Sequence, residues 1–192
     1  MELLKSFNSV DIFILVLAGS IIYSSFKSGF IVEFMKTLGT FLALFLAFHY
    51  YMKLSSFLSS ATAMMSGVSA PVGQAVIFLF IWMFTLMVMK FARDGIMLVF
   101  TVQAISIVDR WGAVIVAIVR FFLAASMVMF VLLLTDQPYI ERMTTSSFAQ
   151  KHLLLVAPDT YQKIIKSFVA KLLPNEKVNP ALIEELKEIG KK

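Results

Sequence analysis

An arginine inside an apolar run constrains this chain more than any other feature. From Trp111 to Leu134 the sequence reads WGAVIVAIVRFFLAASMVMFVLLL, twenty-four residues in which Arg120 is the only charge. Such a run exceeds the roughly 20 apolar residues that cross a bilayer's hydrocarbon core. A guanidinium near its middle costs about 2.5 to 3.5 kcal/mol on insertion scales unless it finds a partner, a water path or an interface. The fold must therefore be a membrane helix bundle that presents something to Arg120.

Three further runs complete an all-α, polytopic bundle of four transmembrane helices: Val10 to Phe26, Phe30 to Met52, and VGQAVIFLFIWMFTLMVMKFA from Val72 to Ala92. The composition agrees, with 59% hydrophobic and only 15% charged residues and a mean hydropathy of +0.86, too little charge to coat a soluble domain. Asp11 interrupts the start of the first run and no A-x-A site follows it, so it reads as a retained span rather than a cleaved signal. Only Lys27, Ser28 and Gly29 separate the first two spans, which predicts an antiparallel helix hairpin turning at Gly29. Lys53 to Pro71 reads as a polar loop of small residues. Asp94 to Val108 is too short and interrupted to cross, and reads as an interfacial or re-entrant segment before the fourth span.

Helical rise places the intramembrane charges by depth. Arg120 is nine residues from Trp111, about 13 Å in, and Glu33 and Lys36 enter from the same side to about 5 and 9 Å. A Glu33–Arg120 pair facing the bundle is the expected solution. At the other side Asp11 begins the first span and His49 ends the second, and equal distances from the turn suggest that they meet. The alternative is that Asp11 caps the first helix while His49 sits with Tyr50 and Tyr51 in an aromatic belt. Gly39, Ala43 and Ala47 on the second span, and Ala113, Ala117 and Ala125 on the fourth, form ridges of small residues that favour close contact between these two helices.

No metalloprotease, nucleophile-elbow or phosphate-loop motif is present, there is no cysteine, and the two histidines, His49 and His152, lie in different settings. We therefore expect no enzyme, no cofactor and no metal site. The net charge of +5 comes from scattered Lys and Arg rather than a block, which suits anionic lipid headgroups better than nucleic acid.

Residues 1–135 thus read as the transmembrane domain, and residues 136–192 as a charged helical tail, outside the membrane or on its surface. The tail's 57 residues hold nine Lys/Arg and seven Asp/Glu. Within it Tyr161, Ile164, Ile165, Phe168, Val169, Leu172 and Leu173 form one helical stripe, with Asp159 or Thr160 as cap and Pro174 as stop. That helix suits a membrane surface, a partner, or the chain's own loops. A second tail helix is expected from Pro180 to Ile189, with Asn179 as cap and Gly190 as stop. Lys27, Lys90, Arg93 and Arg110 flank one side of the bundle, and Lys5, Lys53, Arg142 and Lys151 the other. Because the first set sits at the helix ends, that side is expected to be cytoplasmic and both termini periplasmic.

The placement of Asp11, Gly29-Phe30 and Glu33, of HYY at 49 to 51, and of Asp109-Arg110 with Arg120 eleven residues after the aspartate resembles the bacterial colicin V production protein family over residues 8 to 135. Asp109 and Arg110 correspond to that family's loop–helix motif, whereas Ala113 and Ala117 stand where it has glycines, and Phe121 replaces the glycine after the inner arginine. The resemblance implies a multi-pass inner-membrane protein linked to colicin V production or export and to envelope homeostasis. Two functions follow as expectations. The first is a non-enzymatic accessory protein that contacts a secretion or envelope partner, with homo-oligomers allowed. The second is a small oligomeric channel or transporter whose polar route is lined by Asp11, Glu33, Arg120 and His49.

Overall fold

The computed structural model describes residues 8–61, 69–99, 107–139, 144, 147–172 and 178–189. Expectations at Lys5, Phe100 to Ser106, Arg142, Leu173, Pro174 and Gly190 lie outside these residues. The described chain is helical and without strands: α1 (Ser9–Ser28), α2 (Phe30–Ala61), α3 (Ala70–Val99), α4 (Ile107–Leu134), α5 (Phe148–Leu153), α6 (Val156–Ile164), a π-helical turn (Ile165–Val169), α7 (Ala170–Leu172) and α8 (Pro180–Ile189). Among the described residues α1 to α4 are long and apolar enough to cross a membrane, so this is a polytopic membrane protein.

Three spans are longer than the sequence suggests. Lys53 to Ala61 continues α2 instead of forming a loop. Its serines turn their hydroxyls back on their own helix, Ser56 Oγ donating to the Lys53 carbonyl and Ser59 Oγ to that of Ser56, each at 2.9 Å, which satisfies polar groups without ending the helix. Of the segment expected to be interfacial or re-entrant, Asp94 to Val99 prolongs α3 and Ile107 and Val108 belong to α4, while the stretch between lies outside the described residues. Gly95 lies inside α3, where a lone glycine costs about 1 kcal/mol and does not end a helix unaided. At 32, 30 and 28 residues, α2, α3 and α4 reach over 40 Å at about 1.5 Å per residue, and so project beyond a hydrocarbon core of about 30 Å.

α1 ends at Gly29, whose φ of 76° and ψ of 164° fall in a region essentially reserved for glycine. The chain then restarts at once as α2. Past this turn α1 and α2 scarcely touch; α1 packs on α4, α4 on α2, and α2 on α3. The expected hairpin is therefore open, with α4 against both of its arms. Contact between α2 and α4 is extensive, and Gly39, Ala43, Ala47, Ala113 and Ala117 are all buried. Gly39 faces α3 as well, where a Cβ would stand 3.1 Å from Met89 Cβ.

An aromatic core fills the bundle at the end away from Gly29. Phe48 lies edge-on to Phe130 and Phe78, at centroid distances of 4.8 and 5.1 Å, with Leu44, Tyr51 and Met127 fully buried around them. The tail joins this core instead of standing apart. Ala157 and Tyr161 of α6 are fully buried and Leu182 of α8 equally so, and Ile165 is nearly so, so the Tyr161 and Ile165 part of the tail's apolar stripe packs into the chain's own core. α6 begins at Val156, which places Asp159 and Thr160 inside the helix rather than at its cap.

Candidate functional site: an intramembrane ion cluster and caps shared between helices

Glu33 lies in the first turn of α2 and is fully buried. Arg120 reaches it from α4, Nη2 standing 2.7 Å from Oε1. That oxygen accepts no aligned hydrogen bond, so the contact is an ion pair held by proximity. Lys36, one turn on along α2, donates to the other oxygen at 3.2 Å and to Ser28 Oγ at 2.7 Å. One buried carboxylate thus serves two cations, and Arg120, only 14% exposed at its side chain, has the partner its position demanded.

Asp109 and Arg110 join the α1–α2 turn to the start of α4. Asp109 Oδ1 accepts the backbone N–H of Phe30, the first residue of α2, at 3.0 Å. The Arg110 guanidinium lies 5.6 Å from the Phe26 ring centre, and the Trp111 ring meets Phe26 edge-on. Gly112 lets the helices close here, since a Cβ would stand 3.1 Å from the Phe30 ring.

The expected Asp11–His49 contact is not formed, and each residue has other partners. Asp11 completes a capping box with Asn8 and accepts the N–H groups of Ala149 at 2.9 Å and Phe148 at 3.3 Å, at the start of α5. His49 Nδ1 lies 3.0 Å from the Tyr161 hydroxyl of α6, with Phe45 stacked on its ring. The Tyr161 hydroxyl in turn accepts the Asn179 N–H at 3.3 Å, and Asn179 Nδ2 donates to the Phe48 carbonyl at 2.8 Å. Equal depth predicted neither arrangement because the tail supplies a partner to each residue.

Ser126, unremarked in the sequence, is a third such junction. Its hydroxyl donates to the Leu154 carbonyl and accepts the Ala157 N–H, both at 2.8 Å. A single serine in the most apolar span was the only signal for it. Beside the ion cluster a cavity of about 360 Å³ opens between α1 and α3, with Lys36, Lys90, Arg93 and Arg120 among its lining. Among the described residues no group of three or more His, Asp or Glu is placed to hold a metal ion.

The family model described as Colicin V production protein matches residues 10–158, so the match runs through α5 into α6 rather than stopping near residue 135. No curated protein matches the chain. No solved structure matches it either.

Proposed function

The chain belongs to the colicin V production protein family, and we propose that it acts there as a non-enzymatic accessory of the bacterial inner membrane, contacting a secretion or envelope partner through its bundle and its docked tail. The observation behind this reading is how the acidic groups at and inside the spans are used. Asp109 caps α2, Asp11 caps α5, and Glu33 is engaged by Arg120 and Lys36. Each of the three holds one helix to another. Buried polar groups used in this way give a bundle of one defined shape, which is what a partner-binding scaffold requires. The short connections rich in Lys and Arg face the cytoplasm and both termini the periplasm in this reading, which a C-terminal reporter active only in the cytoplasm would test.

A transporter remains the second reading, because the cavity beside the ion cluster is lined by cations and intramembrane charges often mark ion pathways. Colicin V secretion, protein abundance and anion flux into proteoliposomes, followed for Asp11→Ala, Asp109→Ala and Glu33→Gln, separate the two. An accessory scaffold loses secretion in step with abundance and shows no flux. Full abundance with flux present in the wild type and abolished in Glu33→Gln would overturn the scaffold reading.

A further inference from the structure

The cavity between α1 and α3 holds more positive charge than its surroundings neutralise. Lys36 and Arg120 share Glu33, and Arg93 is paired with Asp94 at 2.7 Å. Lys90 has no carboxylate partner among the described residues. Four cations therefore face two carboxylates, leaving an excess of two positive charges around a cavity whose remaining walls are largely apolar. Repulsion between like charges is strongest in such a low-dielectric setting, and an anion relieves it. Two donors point the same way. Trp82 lines the cavity, is only 9% exposed, and has an indole N–H without an acceptor; Arg120 Nε is likewise buried and unpartnered.

The other walls are apolar. Leu17 and Ile21 of α1 and Leu86 and Met89 of α3 line the same space, and α1 and α3 do not pack on each other. The gap is thus a lateral one, running along two spans whose outer faces expose Val16, Phe84 and Met87. A small soluble anion would use the cations and leave these walls without a partner. A lipid would engage both.

We propose that this cavity binds an anionic membrane phospholipid, its phosphate among Lys36, Lys90, Arg93 and Arg120 and an acyl chain along Leu17, Ile21 and Leu86. Guanidinium and ammonium groups together match the several acceptor oxygens of a phosphate. The assignment goes beyond the accessory reading and does not depend on it.

Purified full-length protein in neutral detergent, titrated with phosphatidylglycerol or with phosphatidylcholine of the same acyl chains and followed by native mass spectrometry and thermal shift, tests this. Phosphatidylglycerol is expected to bind about tenfold more tightly or better, and Lys90→Gln and Arg93→Gln to weaken it about fivefold each. Both variants keep the lipid-free melting temperature, since Lys90 has no carboxylate partner among the described residues and the Arg93–Asp94 pair, half exposed at Asp94, contributes little to stability. Equal affinity for the two lipids, or an unchanged preference in both variants, would overturn the proposal. Inorganic phosphate that stabilises the protein as much as phosphatidylglycerol would assign the site to a soluble anion and overturn the lipid.

Discussion

Asp109 and Phe30 lie 79 residues apart in the chain, and the carboxylate of one accepts the backbone N–H of the other at 3.0 Å. A helix that starts inside or against a membrane cannot leave its first N–H groups to water. α2 begins immediately after Gly29 with no capping side chain of its own, and α4 supplies one. The pattern recurs where Asp11 of α1 receives the first two N–H groups of α5 and Ser126 of α4 receives an N–H of α6. The starts of α2, α5 and α6 are each closed in part by a neighbouring helix, so at these ends capping and tertiary packing are the same interaction.

Removing Asp109 should therefore unlatch the α1–α2 turn from α4. Asp109→Ala is expected to lower stability by about 1 kcal/mol, the usual value of a cap, with Asp109→Asn closer to wild type because an amide oxygen also accepts. Thermal unfolding in detergent measures both, and equal melting temperatures for Asp109→Ala and wild type would refute the cap.

The two halves of the intramembrane ion pair should not be equivalent. Glu33→Gln leaves both Lys36 and Arg120 without a carboxylate and is expected to cost about 3 to 5 kcal/mol, as for other broken buried pairs. Arg120→Gln leaves Glu33 still paired to Lys36 at 3.2 Å and should cost less. Unfolding midpoints in the reverse order would contradict this sharing.

Asp11 and His49 should behave as independent sites. Asp11→Ala strips acceptors from Phe148 and Ala149, a loss of about 1 to 3 kcal/mol, read as faster hydrogen exchange at the start of α5. His49→Ala acts instead on Tyr161, and the double variant should be additive within about 0.5 kcal/mol. A larger coupling would mean the two residues interact after all.

Gly29 admits little else. With φ at 76° and ψ at 164°, Gly29→Ala should cost about 1 to 3 kcal/mol in backbone strain and disturb the Asp109–Phe30 latch one residue away. A variant as stable and abundant as wild type would show that the turn relaxes.

The four spans, the turn at Gly29 and the need of Arg120 for an anion were all determined by the sequence alone. Transfer of a helix into hydrocarbon depends on the composition of some twenty consecutive residues, and a charge within it is conspicuous at any register. Depth along two helices was enough to name Glu33, since both residues are measured from the same side. Tertiary structure alone decided where the spans end, because the serines after Lys53 and the stretch after Arg93 are locally compatible with either helix or loop. It also decided the partners of Asp11, His49 and Ser126, which lie more than a hundred residues away for the first two and on the folded-back tail for all three. A carboxylate, an imidazole or a hydroxyl accepts whichever donor is brought to it, and packing of the helices, not spacing in the chain, brings the donor.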